Sequence, residues 1–471
     1  MVNALHFPLL LSFALLLLPS PRLSLGTSPP QQGPETPITR YQQYLRFNTA
    51  HPNPNYTAPV SFLTSLAQSL GLKTQTLEFT SNKPTLLITW QGSNPSLPSL
   101  LFNSHLDSVP AEPSKWTHPP FSATLTPEGK IFARGAQDDK CIAIQYLEAI
   151  RNLKARNFVP TRTLHISFVP DEEIGGIDGA GKFVKSKVFK DLDVGFVLDE
   201  GLASGNDEFR VFYADRSPWN VIIKAKGVPG HGSRMYDNGA IENLMDSIEV
   251  INRFRDSQFD LVKAGKAANS EVISVNPVFL KAGIPSPTGF VMNMQPSEAE
   301  AGFDLRLPPT ADPDPMKKRI AEEWAPAVRN MTYEIKHDFS TCHALSWIQA
   351  LKWNAHSSGL QIIEKGPLRD YMGRPLMTAT DDSNPWWSVF KQAIAAAGGK
   401  LAKPEILRST TDARFMRQLG IPTFGFSPMT NTPILSHDHN EFLKDTIFLK
   451  GIEVYEHIIH GLSSFEEANS I

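Results

Sequence analysis

Short apolar runs alternate with amphipathic ones along most of this chain. Thr85 to Trp90, Leu100 to Asn103, Thr163 to Val169 and Val194 to Leu198 are apolar, β-prone and of strand length. Between the second and third, Asp139 to Arg156 carries Ile142, Tyr146, Ile150 and Leu153 at helical spacing. Ahead of these runs, Thr39 to Gly71 reads helical, interrupted at Pro52 and Pro54. Strands separated by helices predict an α/β fold with a mixed, largely parallel sheet covered on both faces. The texture changes near Phe212 to Trp219. Val221 to Ala225 alternates as a strand, Gly227 to Gly232 is a turn, and Ala240 to Phe254 is an amphipathic helix. Strands at Phe290 to Met294 and Gly302 to Leu307 and a helix at Pro315 to Ala325 complete a smaller α+β unit. Strand–helix alternation then resumes with Trp386 to Ala397, Pro422 to Phe426 and Asp445 to Leu462, so the small unit is inserted within the larger one.

At 471 residues, two domains are expected, and 41% hydrophobic with 20% charged residues is ordinary globular composition. A formal net charge of −3 without basic runs argues against a nucleic-acid partner. The N-terminus is different material. Phe7 to Leu18 is an unbroken apolar run followed by Pro19 and a small-residue patch, which reads as a signal peptide over residues 1–26. The expectation is a secretory-pathway protein, lumenal in the endoplasmic reticulum or secreted, with no membrane association after signal removal. On that premise the sequons at Asn55 and Asn330 become candidate glycosylation sites. Only Cys141 and Cys342 are present, so no disulfide framework is possible.

Five separated segments carry the candidate chemistry. His105 stands at the end of a strand, where α/β folds place ligands, with Asp107 spaced to reach the far imidazole nitrogen. Arg134 to Lys140 contains Asp138 and Asp139 at a helix start, where two acids are usually plain N-capping. Asp171, Glu172 and Glu173 follow a strand as three consecutive acids, a costly grouping unless a cation lies close. Another strand runs into Asp199 and Glu200, and the remote segment Ser436 to Glu441 holds His437 and His439. Histidines and carboxylates without thiolates suit catalytic zinc, with manganese or cobalt as substitutes.

These motifs, in this order, resemble the M20 metallopeptidase family from about Thr39 to the last helix. Strings such as Phe196 to Gly201, Asp215 to Trp219, Asp381 to Trp387 and Gly425 to Met429 are similar to its branch acting on N-acyl-L-amino acids. The resemblance implies a zinc-peptidase-like catalytic domain over residues 27–214 and 332–471, with an inserted dimerisation or lid domain over 215–331. It implies two zinc ions per subunit: His105, Asp138 and Glu200 on one, and Asp138, Glu173 and His437 on the other. His437 is preferred to His439 because it lies four residues before Glu441. Glu172 is implied as general base, Asp107 as the acid orienting His105, and the peptide after Asp138 as cis. Asp139 departs from the methionine often found there and adds negative charge. His231, in the inserted unit, is implied to act in the partner subunit's site, which makes the enzyme a homodimer. Arg306, Arg414 and Asn293 are implied to bind the carboxylate of a small acyl-amino-acid substrate. The expected reaction is metal-dependent hydrolysis of N-acyl-L-amino acids. Related readings are a carboxypeptidase or dipeptidase, or an acetylornithine-type deacetylase. A non-catalytic binding protein on the same scaffold is the alternative of another class. The stretch 335–361, with Cys342, Trp347 and Trp353, does not fit the family pattern and reads as an atypical insertion.

Overall fold

The structure, a computed structural model, describes residues 35–336 and 368–466. The apolar N-terminal run and nearly all of the stretch 335–361, Cys342 included, lie outside the described residues. The longer strands are β1 (Lys73–Thr80), β2 (Lys83–Trp90), β3 (Ser99–His105), β4 (Leu164–Val169), β5 (Val194–Asp199) and β6 (Val211–Asp215). They continue with β7 (Ser217–Lys226), β8 (Ser274–Ala282), β9 (Glu298–Leu307), β10 (Met331–Lys336), β11 (Glu405–Leu407) and β12 (Thr423–Phe426).

The main sheet has the order β1-β2-β4-β3-β5-β12-β6-β11, and its central strands β4, β3, β5 and β12 are parallel. Antiparallel pairing of β1 with β2, β2 with β4 and β12 with β6 makes it mixed, in agreement with the predicted class. Alternation explains why both faces are covered. Leu100, Phe102, Phe196 and Leu198 enter one core with the helices Lys140–Ala155, Pro385–Ala396 and Asp445–Ser464, while Leu101 and Val197 enter another with Phe415 and Met416. Because β4, β3 and β5 are parallel neighbours, their carboxyl ends lie side by side, about 4.8 Å from strand to strand. Every residue that follows those ends is thereby brought to one place.

The second sheet, β8-β9-β7-β10, is wholly antiparallel and has its own core. Trp219, Val221, Ile223 and Ala225 point inward at period two against Leu244 and Ile251 of the helix Ala240–Lys263 and against Trp324. The expected strand at Phe290 to Met294 is reduced to two short pairs, Gly289–Phe290 and Met294–Gln295, whereas β1 and β8 were not anticipated. β8 escaped notice because Pro277 interrupts an edge strand that packs on one side only. β10 extends past residue 331, so Ile335 and Lys336 are paired to β7 rather than part of an irregular insertion. No helix among the described residues is long and apolar enough to cross a membrane.

One close approach fixes where β5 delivers its last residues. The Gly201 N–H donates to Ser427 Oγ at 2.9 Å, and a Cβ on Gly201 would lie 2.8 Å from Phe426 Cα. Gly201→Ala must push the end of β5 away from β12, and overpacking of this kind costs about 1–3 kcal/mol. The expected outcome is a lower denaturant midpoint at unchanged m-value, measured by chemical unfolding.

Candidate active site

His105 ends β3 and is buried, with Nδ1 3.0 Å from the Asp107 carbonyl oxygen and Nε2 3.0 Å from Asp138 Oδ1. Glu200, following β5, brings Oε2 to 3.8 Å from the same Nε2. His437 approaches from the opposite side: its Nε2 is 3.0 Å from Glu173 Oε2 and 3.3 Å from Asp138 Oδ2. Asp138 therefore turns one carboxylate oxygen toward each histidine. His439, the rival, points away and meets Glu112 at 3.8 Å.

Two buried carboxylates hold this arrangement. Asp107 accepts the backbone N–H of Glu172 on Oδ1 and of Glu173 on Oδ2, each at 3.1 Å, so one side chain fixes the turn that carries both acids. Glu441 accepts the N–H groups of Gln137 at 2.6 Å, Gly135 at 3.0 Å and Asp138 at 3.3 Å, and pairs with Arg134 at 2.8 Å. Arg134 also donates to the His437 carbonyl at 3.3 Å, which ties the Asp138 loop to the His437 loop. His437 has φ of 67°, a left-handed conformation rare for a residue with a Cβ, and this tie helps to hold it there. The peptide between Asp138 and Asp139 is cis, as the resemblance implied. Asp139 makes no helix cap; it accepts from Ser104 Oγ at 3.0 Å and from the His105 N–H at 3.2 Å.

The electrostatics follow from crowding acids where water is scarce. Burial pushes the carboxyls of Glu172, Glu173 and Glu200 up, and their neighbours' negative charge adds to it. Asp138 behaves oppositely: burial would raise it, but the hydrogen bonds with His105 and His437 outweigh that and hold it low. His437 is pushed up to about 11 by its bonds with Asp138 and Glu173. Burial disfavours a charged His105, yet Asp139 and Glu200 raise it well above the ordinary imidazole range.

A cleft of about 360 Å³ opens on these groups, within the range of small-molecule sites. It is lined by Asp138, Glu172, Glu173, Glu200 and His437, and also by Arg306 and Arg414. The Arg414 guanidinium donates to the backbone carbonyls of Thr411 and Gly175, while Arg306 forks onto Asp304 at 2.8 and 3.0 Å. His231 and Asn293 do not line the cleft. They lie beside one another, with the Gly232 N–H donating to the Asn293 carbonyl at 2.7 Å and His231 exposed. Sequence reasoning missed two members of the neighbourhood. His51 bonds Asp107 at 2.8 Å, and an isolated histidine before proline gave no signal. Asp412 is fully buried beneath Gly176 with neither oxygen hydrogen-bonded among the described residues, and its charge helps to raise Glu172.

A family model for peptidase family M20/M25/M40 matches residues 101–461. The chain belongs to this family. Among its curated relatives, aminoacylase-1 of Mus musculus is 40% identical over 428 residues, covering 91% of this chain and 95% of that protein. Aminoacylase-1 of Homo sapiens is 38% identical over 437 residues, covering 92% and 97%. Solved structures share the fold. The M20 family metallo-carboxypeptidase Sso-CP2 from Sulfolobus solfataricus has a TM-score of 0.63 at 16% identity, covering 91% of this chain and 99% of that one. A dinuclear metal binding M20 peptidase of Bacillus subtilis has a TM-score of 0.58 at 15% identity, covering 90% and 97%. The relatives overturn one expectation. The aminoacylase-1 enzymes are cytosolic, so the reading of this M20 chain as a secretory-pathway protein, lumenal or secreted, does not stand. The misleading feature was the apolar run Phe7 to Leu18 with Pro19 and the small-residue patch after it. The sequons at Asn55 and Asn330 lose their premise with it.

The residues present fit a divalent metal. Donor atoms of His105, Asp138 and Glu173 lie within 4.8 Å of one another, as do those of His105, Asp139 and Glu200. Glu173 Oε1 is buried with no hydrogen-bond partner among the described residues, an uncompensated acceptor that a cation satisfies. Without metal, His437, pushed up to about 11 by Asp138 and Glu173, keeps its proton at neutral pH, and ligation requires its loss. Zinc added to metal-free protein at pH 7 is therefore expected to release protons, and its affinity to rise between pH 6 and 8. Calorimetry in buffers of different ionisation enthalpy measures both; a pH-independent affinity without proton release contradicts this electrostatic account.

Proposed function

We propose that this M20 protein hydrolyses N-acyl-L-amino acids to a free amino acid and a carboxylate, with two zinc ions per subunit. The observation that carries the reading is the shared cleft, where a half-buried Glu172 stands among two histidine–carboxylate clusters and beside two arginines. The curated aminoacylase-1 relatives, matched over more than nine-tenths of their length, support this substrate class over the other M20 reactions.

In this reading His105, Asp138 and Glu200 hold one ion and Asp138, Glu173 and His437 the other, with Asp138 shared. When bound, the ions supply Lewis acidity toward water and the acyl carbonyl. Glu172 takes the proton of the attacking water. A raised carboxyl suits this task, because it gains the proton readily and then returns it to the departing amine. Asp107 keeps Nδ1 of His105 engaged, so that Nε2 faces the cleft. Arg414 presents a buried guanidinium that donates to the Thr411 and Gly175 carbonyls and lies over the Phe415 ring, a good site for the substrate's α-carboxylate, with Arg306 as second anchor.

The second sheet and its helix, over about residues 217–336, form an inserted domain that makes the protein a homodimer. Its edge strand β8 supports this, because Val278 and Leu280 stand 66% exposed on an unpaired edge. His231 and Asn293 then reach the partner's cleft, which accounts for their place outside their own. Manganese or cobalt substitutes for zinc on the same nitrogen and oxygen donors.

Purified protein with zinc is expected to release acetate from N-acetyl-L-methionine, and chelation to abolish the release. Glu172→Gln should lower kcat by about a hundredfold to ten-thousandfold while metal content holds. Arg414→Ala should raise KM about tenfold or more, since a charged hydrogen bond to the substrate is lost. Acetate release that survives in Glu172→Gln at the wild-type rate would rule out the mechanism.

A further inference from the structure

Asp107 engages two backbone N–H groups and two histidines, and one of these histidines has no role in the reaction described above. His51 Nε2 lies 2.8 Å from Asp107 Oδ2. The same oxygen accepts the Glu173 N–H, and the other oxygen accepts the Glu172 N–H and lies 3.4 Å from His105 Nδ1. Asp107 is fully buried, and an ionised carboxylate only accepts, so His51 is the donor.

The placement of His51 is built rather than incidental. Ala50 forms a parallel bridge with Ser108, the His51 N–H donates to the Ser108 carbonyl at 3.0 Å, and the Ser108 N–H donates to the Thr49 carbonyl at 3.1 Å. Lys140, two residues past Asp138, donates to the Phe47 carbonyl at 2.6 Å and anchors the same segment from the other side. The segment before the cis Pro52 is thus stitched to the backbone that carries Asp107. The His51 side chain is 11% exposed and borders a surface groove with Asn48, Pro52 and Pro110, none of which lines the cleft.

We propose that His51 is a positioning residue for the catalytic turn: its Nε2–H fixes the rotation of the Asp107 carboxylate and, through it, the backbone of Glu172 and Glu173. If Asp107 lost this donor, its carboxylate would be free to turn, and turning breaks its bonds to the two N–H groups and to His105 together. His51 touches no reacting atom and acts wholly through Asp107. The inference rests on the reading of Glu172 as base and Glu173 as metal ligand for its catalytic consequence, but not for its structural one.

The test compares His51→Gln, whose amide can still donate, with His51→Met, which fills similar space and cannot. Hydrogen–deuterium exchange on the full chain reads the peptide spanning residues 170–176. The expected result is exchange about tenfold faster in His51→Met, from loss of a charge-assisted hydrogen bond, and near wild type in His51→Gln. Zinc transfer to a chromogenic chelator should quicken, and kcat on N-acetyl-L-methionine fall, by about tenfold in the methionine variant, with KM within about twofold. Equal behaviour of the two variants, whether both match the wild type or both are impaired, overturns the proposal. If the wild type fails to hydrolyse the substrate, the proposed function falls, while the exchange comparison still decides the role of His51.

Discussion

The Asp138 carboxylate stands between two histidines that the chain delivers from more than three hundred residues apart, and everything else about the site serves that position. Around it, Asp139, Glu172, Glu173 and Glu200 crowd a volume with little water. Such a group cannot keep all its charge unless cations share it. In the metal-free protein, the contacts of His105 and His437 with Asp138 and Glu173 supply part of the compensation. Divalent cations would supply the rest, because donors of the cluster already line one cleft.

The scaffold makes this costly cluster possible by dividing the work. Three adjacent parallel strands end together and deliver His105, the Glu172–Glu173 turn and Glu200 without any long loop having to find its place. The two residues that come from loops, Asp138 and His437, are fixed to one another by the buried Arg134–Glu441 pair. A buried ion pair is a poor source of net stability, but losing one partner is severe, so it specifies a geometry well. Asp107 plays the equivalent part for the strand-end turn.

Much of this was legible in the residues, for identifiable reasons. Buried parallel strands are continuous apolar runs, so β2, β3, β4 and β5 announced themselves, and the acids at their ends stood out against that background. The convergence of five segments was readable only through their order and the family resemblance, because no spacing rule links His105 to His437. β8 was not legible, since an edge strand exposed over most of its length has no alternation to detect. Nor were His51 and Asp412, whose importance lies in contacts with residues distant in sequence. The N-terminal run misled for the opposite reason: a local pattern of apolar residues, proline and small residues was read as an export signal without any contact to test it. His231 and Asn293 sit together outside the cleft, so their part in the site was not legible from one chain's geometry.

The central claim is that Asp138 is shared by two metal ions, and equilibrium dialysis against zinc tests it most directly when wild type and Asp138→Asn are compared. The account predicts two tightly held ions per chain in the wild type and loss of tight binding at both positions in the variant. A wild type that holds fewer than two, or a variant that still holds both, contradicts it.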